Sequence, residues 1–140
     1  MRAMSDDHAQ MVNELPGNGW MKAIGLKITS ATTEEVRGEW EVGEQHLQSF
    51  GIVHGGVHSS VIESMASIGG FLVALPRNQR VVGLENHTSF IRGVGQGTLH
   101  AVARPVTRGR SSQVWECEIR DAEDKLVARG SVRLLCIAIP

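Results

Sequence analysis

The chain has 140 residues, 41% of them apolar and 21% charged, with a formal net charge of -1. That is the composition of a folded globular domain, and the length suits one domain rather than two flanking a cleft. The near-neutral balance excludes a general nucleic-acid binder, and the sequence shows no apolar run approaching the ~20 residues of a membrane-spanning helix.

Residues 1–70 carry four Lys/Arg and nine Asp/Glu, whereas residues 71–140 carry ten and six. The balances of -5 and +4 make the C-terminal half the place for a small anionic ligand. Cys117 and Cys136 lie in strand-like runs and read as free thiols. With no signal-peptide core at the N-terminus, a reduced, cytoplasmic protein is expected.

In chain order, residues 1–19 are polar and close on Pro16-Gly17-Asn18-Gly19, which reads as a frayed lead-in with room for a short helix. A single domain is expected from 20 to 140. Residues 24–33 form one candidate strand. Residues 34–42 alternate, with Val36, Gly38, Trp40 and Val42 opposite Glu35, Arg37, Glu39 and Glu41, the period of a half-exposed strand. A loop rich in Gly, His and Gln covers 43–56, and one strong helix covers 57–75. Its buried stripe is Val61, Met65, Ile68, Leu72 and Leu75, and Pro76 ends it. Four strands follow at 81–92, 97–106, 113–121 and 126–139. Gly93-Val94-Gly95, Thr107-Arg108-Gly109 and Glu123-Asp124 mark the turns between them. The order β-β-α-β-β-β-β predicts an α+β fold, an antiparallel sheet curled around one central helix.

The chemistry concentrates between Gly51 and Ser67. Gly55 and Gly56 enter the helix, where free N–H groups at the positive dipole end hold an anion or polarise a carbonyl. Close packing is the competing explanation for the pair. His54 precedes them, either beside the same carbonyl or satisfying loop backbone. Glu63 lies about 200° around the helix from the stripe and shares its face with Ser59, Ser67 and Gly70. That face suits close packing around one acid, although an ordinary exposed Glu fits the spacing too. Gly55 and Glu63 stand roughly 12 Å apart along one helix axis, so serving one carbonyl requires two antiparallel copies.

His54 and His58 are spaced i, i+4, but with no third ligand at a persuasive spacing no metal is expected. No Gly-x-Ser-x-Gly elbow is present for a serine triad. Arg108-Gly109-Arg110-Ser111-Ser112 is a basic turn, and Arg92 ends a neighbouring strand. Such groups suit phosphates, or simply solvate a loop. Phe50, Phe71, Leu72 and Phe90 belong either to an aryl pocket or to the core.

From about Leu47 to Leu134 the chain resembles the hotdog-fold acyl-CoA thioesterases, in particular the 4-hydroxybenzoyl-CoA subgroup with Glu on the central helix. That subgroup includes 1,4-dihydroxy-2-naphthoyl-CoA thioesterases and enterobactin-pathway proofreading thioesterases. The landmarks are Gly51 to Gly56, Glu63-Ser64, Val81-Val82-Gly83-Leu84-Glu85, Pro105 to Gly109, Gln113-Val114-Trp115 and Leu126.

The resemblance implies Glu63 as nucleophile or base, the Gly55 N–H as oxyanion site and His54 as the motif histidine. Gln48 would position the thioester or water, and Ser67 would help orient water. Arg92, Gly109, Arg110 and Ser111 fall near the nucleotide-phosphate contacts, and Phe90 stands where some relatives have His. The implied substrate is an acyl-CoA with an aromatic acyl group, with no cofactor. Glu63 would face Gln48, His54 and Gly55 of the other subunit in a homodimer, two of which form a homotetramer. A hotdog hydratase or dehydratase would need a catalytic His and an acid at a different spacing. A non-catalytic acyl-CoA-binding module would usually lack the helix acid and carry a regulatory domain.

Overall fold

In the computed structural model, which describes residues 7–140, the apolar stripe lies on the longest helix, α3 (Gly55–Ala74). Val61, Met65, Ile68 and Leu72 are buried, each contributing about 1.5–3 kcal/mol of apolar burial. Ile62, Ala66 and Val73 are buried as well, so α3 is covered on more than one side. The stretch Gly55–Arg77 is long and apolar enough to cross a membrane, but it is the core helix of this fold. Leu75, expected in the stripe, is 47% exposed. It starts the 3₁₀ turn Leu75–Arg77, because Pro76 ends the α-helical ladder.

Strands β1 (Lys27–Ala31) and β2 (Val36–Glu41) precede α3. After it come β3 (Gln79–Phe90), β4 (Thr98–Arg108), β5 (Ser112–Arg120) and β6 (Leu126–Ala138). They form one antiparallel sheet in the order β1-β2-β4-β5-β6-β3. The alternation read in β2 holds, with Val36, Gly38 and Trp40 facing the core. Leu99, Ala103, Trp115, Ile119 and Leu134 continue that layer from the other strands. β4 runs on through Arg108, past the expected start of its turn, so the reversal falls at 109–111.

Two short helices, α1 (Ala9–Glu14) and α2 (Gly19–Ile24), open the described chain. The described part of the lead-in, from residue 7, is docked rather than frayed; residues 1–6 lie outside the described residues. Val12 is 1% exposed. The Asn13 amide bonds both the carbonyl (2.8 Å) and the N–H (2.9 Å) of Ile28, tying α1 to β1. The strand expected from residue 24 begins three residues later. Gly25 in the left-handed conformation ends α2 there, and the Leu26 N–H bonds the Met21 carbonyl at 3.0 Å.

β3 is an edge strand of 12 residues with Val82, Leu84 and Phe90 all exposed. Cys117 is buried and Cys136 half-buried, both free thiols, and burial pushes the Cys117 thiol pKa up to about 12.

Candidate active site

His54 caps α3: its Nδ1 accepts the Gly56 N–H at 2.8 Å. The ring is exposed and engaged with backbone, as the plainer reading of a loop histidine has it. The His54 N–H donates to the His46 carbonyl at 2.8 Å. His46, 1% exposed, anchors the loop. Its Nδ1 accepts the Gly43 N–H at 2.9 Å, so its Nε2–H donates to the Ile24 carbonyl at 2.7 Å. Gln48 begins the turn that leads to α3, with the Gly51 N–H bonding its carbonyl at 3.0 Å. Its side-chain oxygen accepts the Phe50 N–H.

Among the described residues no acceptor receives the Gly55 N–H. It is the first N–H of α3, at the positive end of the helix dipole. Close packing is present here too. The Phe90 ring covers Gly55 so tightly that a Cβ at Gly55 would sit 2.5 Å from Phe90 Cζ. Close packing is therefore present at Gly55, beside a first N–H with no acceptor among the described residues.

Two turns along α3, Glu63 is exposed. Among the described residues its carboxylate has no salt bridge and no hydrogen bond. It approaches β3 where that strand bulges: a Cβ at Gly83 would stand 3.0 Å from Glu63 Oε1. A side chain at 83 would crowd the carboxylate in this position. Glu63 lines a cavity of about 570 Å³ together with Ser64, Ser67 and Phe71. Leu15 and Trp20 line it as well, and so does Arg80 from β3. Gly70, read on the same closely packing face, lies against the sheet, where a Cβ would meet Leu134 Cδ1 at 2.3 Å.

His58 lies on the buried side of the first turns, 4% exposed, its ring 6.1 Å from Trp40 and 6.3 Å from Phe90. Burial lowers its pKa to about 4, and its Nδ1 has no partner among the described residues. The rings of His54 and His58 therefore occupy separate environments, one capping backbone and one in an apolar stack.

The basic residues grouped in sequence do not converge within one chain. Arg110 and Ser111 are exposed in the turn beside the start of β3, where Gln79 Nε2 bonds the Arg110 carbonyl at 3.0 Å. The Gly109 carbonyl accepts from Arg77 at 3.2 Å. Arg92 lies past the other end of β3, roughly 35 Å away by strand length. It pairs with Asp121, whose carboxyl stays below the usual range through N–H bonds from Lys125 and Glu123 and through Arg92. Of the four candidate aromatic and apolar residues, Leu72 is core and Phe71 lines the Glu63 cavity. Phe50 is 90% exposed, and Phe90 covers Gly55.

Sequence reasoning missed Trp20 and Leu15, and it named Gly83 only within a landmark run, with no place beside Glu63. The one signal for Trp20 was a large aromatic outside any periodic run, next to a Pro-Gly-Asn-Gly turn.

Residues 50–128 match the model of the thioesterase superfamily. A Mycobacterium tuberculosis protein named putative esterase Rv1847 is 40% identical over 113 residues, covering 79% of this chain and 81% of that protein. A 1,4-dihydroxy-2-naphthoyl-CoA hydrolase of Listeria monocytogenes is 35% identical over 109 residues, covering 78% and 88%. The crystal structure of thioesterase HI1161 from Haemophilus influenzae superposes with a TM-score of 0.86 at 31% identity, covering 93% of this chain and 90% of that one. The sheet wrapped around α3 is thus the hotdog architecture, and the chain belongs to the thioesterase superfamily.

Proposed function

We propose that the protein hydrolyses the thioester of an aromatic acyl-CoA, releasing a carboxylate and free CoA. The observation that carries this reading is the unengaged Glu63 carboxylate in a cavity lined by hydroxyl and aromatic side chains. The kinship with a protein named for a naphthoyl-CoA substrate supports the aromatic acyl group. The reading places this chain with the relatives that carry Glu on the central helix.

In the proposed reaction the thioester carbonyl oxygen accepts the free Gly55 N–H, which stabilises the negative charge developing on it. Glu63 either attacks the carbonyl carbon, giving an acyl-enzyme anhydride that water opens, or takes a proton from the attacking water. On both routes one water is consumed, the C–S bond breaks and the departing thiolate leaves as the CoA thiol. Ser67 lies beside Glu63 to orient that water, and Gln48 positions the thioester beside His54.

The two groups come from two chains. Gly83 lies beside Glu63 and Phe90 covers Gly55, seven residues apart on the β3 edge. If two β3 strands pair antiparallel about a two-fold axis near residues 86–87, Gly83 of one chain lies opposite Phe90 of its partner. That brings Glu63 towards the partner's Gly55. Unpaired strand edges with exposed apolar side chains favour such pairing. The basic turn of Gly109, Arg110 and Ser111 is the proposed contact for the CoA phosphates, with Arg92 contributing from the far end of a paired strand. A homotetramer in the cytoplasm completes the proposal.

The test is Glu63→Ala in a thiol-release assay across aryl- and alkyl-CoAs. A loss on the order of a thousandfold or more, with the fold intact by circular dichroism, is expected. Activity retained to about a tenth of wild type removes Glu63 from the mechanism.

A further inference from the structure

We propose that Trp20 is the specificity-determining wall of the acyl pocket, selecting flat acyl groups over flexible ones; this rests on the reading of Glu63 as the hydrolytic carboxylate. Three tryptophans occur in the chain, and they divide sharply. Trp40 is 2% exposed and Trp115 is 0% exposed, both in the core, whereas Trp20 is 59% exposed. Its indole lines the same cavity as Glu63, with Leu15 beside it and Phe71 from α3. An aromatic wall, an aromatic neighbour and a carboxylate on one cavity form a slot for a planar group whose carbonyl reaches the acid.

The wall is fixed. Trp20 belongs to α2, which Gly25 terminates, and the Asn18 amide donates to the Val12 carbonyl at 2.8 Å. Val12 is core, and Asn13 is bonded twice to β1. The polar turn before α2 therefore stands on the buried part of α1, which anchors the backbone that presents Trp20. A rigid aromatic wall discriminates by shape: a ring stacks on it, while a flexible chain loses conformational freedom for less contact. The segment from Leu15 to Trp20 contains none of the groups proposed for hydrolysis. It can set acyl preference without altering them.

The test uses two measurements on the full chain. Phenacyl-CoA, a thioether that cannot be hydrolysed, is titrated while acrylamide quenching of tryptophan emission is followed. Protection of the accessible tryptophan by phenacyl-CoA but not by CoA alone, abolished in Trp20→Phe by removal of the reporter, is expected. In parallel, Trp20→Ala should lower the kcat/KM ratio of benzoyl-CoA to hexanoyl-CoA by roughly three- to tenfold, and Trp20→Phe, which keeps a ring, should restore most of it. An equal loss on both substrates overturns the proposal, as does phenacyl-CoA binding that leaves quenching unchanged. If Glu63→Ala stays active while the Trp20 effects appear, the hydrolytic role of Glu63 falls and the wall stands. If Glu63→Ala is dead and Trp20→Ala leaves the ratio intact, the reverse holds.

Discussion

Gly55→Ala probes whether the Phe90 ring and the helix N-terminus form one unit. A Cβ built at Gly55 lies 2.5 Å from Phe90 Cζ, 2.6 Å from Cε2 and 3.0 Å from Cε1. Carbon atoms settle near ~3.5–4.0 Å, so the ring must retreat by about 1 Å. Phe90 is 59% exposed within one chain, so the fold itself leaves the ring room to retreat; in the proposed strand pairing the partner subunit borders that space. The change in stability should therefore stay within about 1 kcal/mol, with the alanine's better helix propensity offsetting part of the crowding. Alanine keeps the backbone N–H, so the oxyanion donor survives chemically. What shifts is geometry, and a displacement of about 1 Å beside reacting atoms costs ~10- to 100-fold in turnover. Phe90→Leu supplies the control, because a leucine side chain ends before all three crowding atoms. The assay is kcat/KM for thiol release by wild type, both single variants and the double variant. The double variant should recover most of the Gly55→Ala loss, a coupling of about 1–2 kcal/mol. A Gly55→Ala enzyme within about twofold of wild type, or strictly additive losses in the double variant, would refute the reasoning.

Gly69→Ala should act on stability instead. A Cβ there meets Trp115 Cη2 and Cζ3 at 2.4 Å, and Trp115 is fully buried with its Nε1–H on Gln113 Oε1 at 2.9 Å. Gln113 in turn donates to the Gly70 carbonyl at 3.2 Å, so the indole has nowhere to move. A net loss of about 1–3 kcal/mol in denaturant melts is expected despite the gain in helix propensity; unchanged stability would show that the Trp115 layer yields. His58 should make stability pH-dependent. Its folded pKa, about 4, lies below its ordinary value of 6.5. The unfolded chain thus takes up that proton first as pH falls. The contribution of neutral His58 is complete above pH 6.5 and is lost as pH falls towards about 4. His58→Leu should drop less in denaturation midpoint between about pH 7 and about pH 4.5 than wild type, and identical slopes would assign acid sensitivity to the carboxylates.

What was legible in the chain follows from where the information lies. α3 and β2 were readable because their burial repeats with the period of their own backbone. α2 was not, because six residues are too few to display a period, and the helix is held by tertiary bonds at Gly25 and Leu26. His54, Gly55 and Glu63 were readable for the same local reason: a cap, a helix start and a position two turns along are fixed by one element. Trp20 shares a cavity with Glu63 from more than forty residues away in sequence, through packing that no spacing rule encodes. The arginines show the opposite limit: shared charge in sequence does not place them together within one chain. Arg92 and Arg110 share a charge and a C-terminal location, yet a 12-residue strand separates them and Asp121 already engages one.

Within each chain His46 gives α2 and the turn before α3 a common benchmark. One imidazole fixes the end of α2, which carries Trp20, while the same residue's carbonyl holds the peptide that caps α3. In the proposed dimer an error at this position is therefore transmitted to the proposed acyl wall of one site and to the proposed oxyanion turn of the other, as a surveyor's misplaced stake shifts every line drawn from it. Acyl preference and turnover can drift separately through Trp20 and Phe90, each of which borders one side alone. At His46 they are inherited as a single trait.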